Sequence, residues 1–279
     1  EKYDIGIVSF KTPRALDRPQ NVVLRKVEIA EEMLGFKTVF NLCKLKTHVL
    51  THFTGAVKNM YGCVPGLLKS ELHIRVPDPT MFSQAVLDIY GTVLPTLSIM
   101  DGIVGMEGTG PNNGIPREIG ALLASVDGLA LDATALRLVG QDPMKVPTVS
   151  LGADRLIGKA KEEEIVVLGD PIGSFSIKNF QMPHVQHDSM GFPPCIGNWI
   201  RKNIVNTPKI LSSQCTRCRR CEKICPAHAI SFLQTRMQID LAPCIRCFCC
   251  MEVCPAHAIV SKPHSLTRLF NQIKKWAGR

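Results

Sequence analysis

Eight cysteines between residues 215 and 254 have a spacing that suits soft-metal chemistry. They run Cys215-x-x-Cys218-x-x-Cys221-x-x-x-Cys225-Pro226, then Cys244-x-x-Cys247-x-x-Cys250-x-x-x-Cys254-Pro255, the second run lying 29 residues after the first. Pro-Ala-His-Ala-Ile follows both times, at 226–230 and 255–259. Two-residue gaps let successive thiolates converge on one centre, whereas the three-residue gap and the proline turn the last one away. Such a run holds [4Fe–4S] clusters and sends its fourth cysteine to the other cluster. Cys215, Cys218, Cys221 and Cys254 are therefore assigned to one cluster, and Cys244, Cys247, Cys250 and Cys225 to the second. The competing readings are two zinc sites or a disulfide framework. Zinc sites mix Cys-x-x-Cys pairs with longer gaps and fit a doubled triple run poorly. The remaining cysteines, Cys43, Cys63, Cys195 and Cys249, have no mutual spacing that reads as a site, and Cys249 is taken as a packed neighbour of the second run.

A second group of reactive residue types lies far upstream. Lys44, Lys46, His48, His52 and Lys58 fall around an expected strand-to-helix passage, where helix N–H groups favour phosphate or carboxylate. An anion site and a solvated basic loop with structural histidines fit this spacing equally. Asp101–Gly114 is a glycine-rich loop that matches neither a Walker nor a dinucleotide fingerprint. Its glycines, Gly108 and Gly110 among them, allow close approach of a ligand, and Asp101 or Glu107 could bind a metal or move a proton. A tight turn with a satisfied carboxylate is the alternative. His184, His187 and Asp188 form a looser His-x-x-His-Asp group without a rigid scaffold.

The elements that must position these residues alternate. Asp4–Phe10, Lys37–Leu42, Thr96–Val104, Ile119–Val126 and Glu164–Leu168 read as strands, and His52–Tyr61, Thr80–Tyr90 and Leu129–Val139 as helices. Asn21–Leu34 has mixed spacing and a plausible helix stop at Gly35. Alternation implies an α/β domain with a largely parallel sheet, whose ligands bind at the carboxyl ends of the strands. Residues 1–170 form this domain, 171–206 a connecting segment, 207–262 a small α+β two-cluster domain, and 263–279 a tail. In the tail, Leu266, Leu269, Phe270, Ile273 and Trp276 recur at helical spacing behind Ser265. Docking on the protein itself is preferred there over an interfacial membrane helix.

The motifs carry a resemblance. Lys44–His48 (Lys-x-Lys-Thr-His), Thr54–Asn59 (Thr-Gly-x-x-Lys-Asn), Met106–Pro111 (Met-Glu-Gly-x-Gly-Pro) and Ala124–Asp132 resemble the family of domain of unknown function 362, DUF362. Many of its members join this domain to a two-cluster ferredoxin module, as this chain does. The family's Lys-Pro-Asn-containing strand region has no counterpart here, so the α/β domain is expected to be incomplete at its N-terminus. A more distant similarity is to the lactate racemase N-terminal domain, matched in order by His48, Thr54-Gly55, Lys58, Pro65-Gly66 and His73. That resemblance implies a base at His48, a cofactor-linking lysine at Lys58 and a metal ligand at His73, and with them a nickel-type cofactor. Shared fold without shared chemistry is the preferred reading.

Composition sets the frame. A length of 279 residues with 45% apolar content can bury a sizeable core, and no run is apolar enough to span a membrane. The chain opens Glu1-Lys2 with no charged-then-apolar leader, so no secretory signal is expected. Eight cysteines engaged by clusters favour a reducing interior and an anaerobic or cytoplasmic setting. From Asn206 onward five Lys and seven Arg face one Asp and two Glu, a net +9 equal to the whole chain's formal charge. Arg217, Arg219, Arg220 and Arg246 interleave with the ligands and read as offsetting cluster charge rather than as a nucleic-acid surface. The expected function is one-electron transfer through the two clusters to or from a substrate or partner held by the α/β domain, with an oxidoreductase activity left open. The working residues are Lys46, His48, Lys58 and His73 with Glu107 across from them; any second cofactor is unknown. The rivals are a carrier whose α/β domain only docks a redox partner, and a non-redox enzyme with structural clusters.

Overall fold

A computed structural model describes residues 5–66, 68–76, 78–175, 177–183 and 206–262. The His184, His187 and Asp188 group and the amphipathic tail lie outside the described residues.

The central sheet is mixed, in the order β4–β3–β5–β6. β3 (Phe40–His48) runs parallel to β5 (Leu97–Glu107); β4 (His52–Thr54) and β6 (Ile115–Ser125) add antiparallel at its two sides. The α/β class holds, with one parallel pair rather than a largely parallel set. Period-two alternation sets the packing of β3: Asn41, Cys43, Leu45 and Thr47 point into the core, and Phe40, Leu42 and Lys44 point to solvent. At Lys46 and His48 the outward face becomes covered as well. That change marks where the C-terminal unit docks.

Helices cover the inner face. α1 (Ala56–Asn59), α2 (Leu68–Arg75), α3 (Pro79–Val93), α4 (Gly128–Leu138) and α5 (Pro147–Asp154) share one core with the sheet. α3 starts where Asp78 accepts from the Met81 N–H and Pro79 presets the first turn. Phe82, Val86, Ile89 and Tyr90 give it a buried face. α4 is capped by Asp127, which accepts from Leu129 and Ala130 N–H, and is apolar almost all round because sheet and α5 enclose it. Phe180 is buried in the same core, and Ile172, Phe175, Ile177 and Met182 pack on it, so the segment after 170 is part of the domain's packing as far as described.

Three expected elements differ, and the segment 21–34, which the sequence leaves open, is extended. Residues 5–10 form no strand; β1 (Pro13–Asp17) and β2 (Lys26–Ala30) make a separate antiparallel pair instead. A helix over 21–34 is precluded because Asp88 accepts the Val22, Val23 and Leu24 N–H groups, holding the chain extended into β2. The expected helix over 52–61 begins as β4, and helix starts only at Ala56. The run 164–168 stays unpaired, with Val166 and Leu168 exposed. β-branched composition favours a strand but cannot supply a partner edge.

The C-terminal unit repeats itself. β7 (Thr207–Ile210) pairs antiparallel with β10 (Ile259–Lys262), and β8 (Ile230–Leu233) with β9 (Arg236–Ile239). Short helices α6 (Arg220–Ile224) and α7 (Cys249–Glu252) follow the two cysteine loops. Left-handed residues recur at the same 29-residue offset: Arg217 and Arg246 (φ 57° and 58°), Arg219 and Phe248 (58° and 60°), His228 and His257 (48° and 49°). Ile230, Met237, Phe248, Met251 and Ile259 form its core with several ligand cysteines, and Val49 of the α/β domain packs against it.

Candidate functional site

Cysteines of the two runs come together. Cys225, Cys244, Cys247 and Cys250, three from the second run and one from the first, line a single cavity. In the other group, burial first and the neighbouring Cys215 and Cys254 thiols next push Cys221 up to about 11. Cys250 is raised by burial and then by Cys247, Cys244 and Cys225. Crowded, desolvated thiols resist ionisation unless a cationic iron centre offsets their charge. The Ala229 N–H donates to Cys225 Sγ at 3.2 Å and the Ala258 N–H to Cys254 Sγ at 3.3 Å, again one repeat apart. Such donors suit cluster thiolates and tune their potential. Among the described residues no three His, Cys, Asp or Glu groups close on a single ion; a four-iron cube, taking one thiolate per iron, asks for no such closure. The residues present thus fit two cubes. Cys249 is more than a packed neighbour: its thiol hydrogen-bonds to Cys247.

The upstream group assembles against this unit. The β3–β4 register sets Lys46 opposite Thr54 and His48 opposite His52, placing these side chains on one sheet face. α1 adds Lys58 and α2 adds His73. From the C-terminal unit, α7 contributes Glu252, two residues after Cys250. His48 Nδ1 accepts from the Leu50 and Thr51 N–H groups at 3.1 and 3.4 Å, which puts the proton on Nε2. Nε2 lies 3.1 Å from Glu252 Oε1, with its N–H off the line to the oxygen.

Electrostatics distinguish the members. Burial, then the Lys58 charge, lowers His48 to about 4. Burial likewise lowers His73 to about 4; its ring stacks on Phe82 at 4.4 Å. Burial works against charge on Glu252, but the His48 contact and the Lys58 charge outweigh it and hold the carboxyl near 2. Lys58 is lowered, chiefly by burial. Its ammonium stands 5.8 Å from the Tyr61 ring centroid and makes no hydrogen bond or ion pair among the described residues. Thr54 Oγ1 is buried without a partner there too. Glu252 lies between the two units yet keeps 32% of its side chain exposed, so the carboxylate remains reachable. Two lysines, an unspent hydroxyl and a neutral imidazole N–H thus face one carboxylate, an excess of donors and positive charge that favours an anion.

Glycines make the geometry reachable. A β-carbon on Gly55 would fall on the Asp132 carboxylate, which accepts from Ala56 N–H at 2.6 Å and Val57 N–H at 3.1 Å and so caps α1 from across the core. Asn59 donates to Asn41 Oδ1 and the Leu42 carbonyl, locking α1 to β3. The motifs around 54–59 and 124–132 are therefore two halves of one joint.

The glycine-rich loop has a different place from the one expected. Glu107 is not across from the lysines: its carboxylate accepts the Gln181 N–H at 3.1 Å and lies 3.9 Å from Arg117. The carboxylate that meets His48 is Glu252. Gly108 donates to the Gln181 carbonyl, and Gly110 lets the loop lie against Thr47, where a β-carbon would clash. Asn112 donates to the Glu252 carbonyl, Asn113 to the Ile259 carbonyl, and Asn113 Oδ1 lies 3.2 Å from His257 Nδ1. The loop clasps the C-terminal unit and fixes the backbone of Glu252. Lys44 and Asp101 pair at 2.6 Å on the exposed face, away from the site.

Comparison with known proteins agrees with this division. Residues 1–137 match the family model "Domain of unknown function (DUF362)", and residues 207–255 match "4Fe-4S dicluster domain". A thylakoid-associated protein of Synechocystis, sll1697, is 35% identical over 184 residues, covering 65% of this chain and 56% of the relative. The chain thus spans little more than half the length of that relative. Among the described residues no helix is long and apolar enough to cross a membrane.

Proposed function

Residues 1–137 are a DUF362 domain and residues 207–255 a 4Fe-4S dicluster domain, and from that pairing we propose a redox protein that exchanges single electrons with a small anionic molecule held between them. The two [4Fe–4S] clusters supply the one-electron chemistry. Cys215, Cys218, Cys221 and Cys254 hold the first, and Cys244, Cys247, Cys250 and Cys225 the second. Lys46 and Lys58 bind and orient the anion, with the Thr54 hydroxyl as a further donor. His48, neutral and carrying its proton on Nε2, passes a proton to or from the bound molecule, and Glu252 steadies that imidazole. His73 shapes the wall of the site. One observation carries the reading: Glu252 of the cluster module lies 3.1 Å from His48 of the α/β domain. The α/β site and the second cluster's cavity are thereby neighbours, separated by one turn of α7.

The experiment is electron paramagnetic resonance of the reduced, anaerobically prepared chain on addition of a panel of small carboxylates and phosphates. At least one anion is expected to alter the second cluster's signal alone, and Lys58→Ala to abolish the response while keeping both clusters. A panel that alters neither signal, or the first cluster's instead, would overturn the proposal.

A further inference from the structure

The two cysteine loops share a backbone but not an environment. Thr216 to Arg220 of the first loop are all exposed, the ligand Cys218 included, whereas Phe248, Cys249 and Cys250 of the second are buried. Residues one repeat apart differ accordingly: Arg219 stands where the second run has Phe248, Arg220 where it has Cys249, and Lys223 where it has Glu252. The second run holds its thiols without positive charge at these three positions. The charges at 219, 220 and 223 are therefore not required to hold a cluster, and offsetting cluster charge does not account for them; Arg217 keeps a counterpart in Arg246 of the second run.

Their geometry points outward. Arg219 is already engaged, 2.6 Å from Glu222 and 5.8 Å from the Phe232 ring centroid. Arg217 and Arg220 flank Cys218, the most exposed ligand, in sequence, and both are exposed, as is Lys223 in the helix that follows. We propose that this face is the docking surface for an acidic one-electron carrier protein. Positive charge flanking an exposed ligand steers an acidic partner and orients it so that its own redox group meets the first cluster. In the loading step one electron leaves the reduced carrier, which is oxidised, and enters the first four-iron cube, which is reduced; no bond or proton moves. The face lies on the first repeat, whereas Glu252 belongs to the second, so the inference stands independently of what the buried site binds.

Reduced flavodoxin, a small acidic carrier, serves as the probe, with the intact cluster-loaded chain in anaerobic stopped flow and, separately, oxidised flavodoxin in low-salt binding calorimetry. The second-order rate is expected to fall about tenfold or more from low to high salt. Arg217→Glu with Arg220→Glu should slow it about tenfold at low salt and abolish measurable binding, with cluster absorption unchanged. Lys223→Glu, outside the ligand loop, should do the same to a lesser degree and covers a failure of the double variant to load. A basic cytochrome c should gain rate from the same reversals. Rates and binding indifferent to salt and to both sets of reversals would overturn the proposal. So would arginine dependence seen only in co-sedimentation with anionic phosphatidylglycerol vesicles, which would make the face a membrane contact.

Discussion

At the scale of single residues, cluster ligands and their neighbours should respond differently to substitution. Cys225→Ala should cost the second cluster, although Cys225 sits in the first run, and reduce iron from about eight toward about four per chain. Cys249→Ala should keep about eight irons but lower the second cluster's potential, because a thiol donor to Cys247 stabilises the more negative reduced state. Iron and labile-sulfide analysis with a redox titration checks both. Histidine titration gives a second test. His48 and His73 have folded values near 4, below the ordinary 6.5. The unfolded chain then takes up protons first, so stability is full above pH 6.5 and declines as pH falls toward 4. His73→Phe should flatten the fall of the unfolding midpoint over that range; an unchanged profile would contradict a buried neutral His73. Lys46, His48 and Lys58 stand out in the sequence by type and spacing, and His73 only through the racemase resemblance. Glu252 does not, since it lies about 200 residues away in sequence. Its one signal was a break in the internal repeat, a glutamate where the first run has Lys223.

Among the elements, β3 and α1 do most of the positioning. α1 has only four residues and depends on the remote Asp132 for its start. Gly55→Ala should push that carboxylate off the Ala56 and Val57 N–H groups and cost about 2 kcal/mol or more in denaturant unfolding. Gly62→Ala, where an added β-carbon meets nothing, should change stability by no more than about 0.5 kcal/mol. Equal losses at the two positions would contradict the Asp132 joint. α3, α4 and the strands at 97–107 and 115–125 were legible because long periodic runs and Asp caps state them locally. The failures share a cause. Whether 5–10 or 164–168 becomes a strand depends on a free neighbouring edge, and whether 21–34 becomes a helix depends on Asp88, 64 residues beyond Leu24. Neither is written within the segment itself.

For the molecule as a whole, the doubled cluster module is used asymmetrically. One repeat turns an arginine-rich loop to solvent, and the other is closed over by the α/β domain and clasped by Asn112 and Asn113. The relative's thylakoid association belongs to that protein; in this chain the described residues show an outward basic face and an inward mixed site. An electron entering at one repeat would leave at the other, beside Lys58 and Glu252. The most direct test is a redox titration of both clusters, monitored by electron paramagnetic resonance, in the wild type, Lys58→Met and Glu252→Gln, with the signals assigned through Cys225→Ala. Removing a nearby positive charge should lower the second cluster's potential by tens of millivolts, and removing the negative one should raise it, while the first cluster stays put. Shifts shared by both clusters, or absent from both, would contradict a working site set against the second cluster.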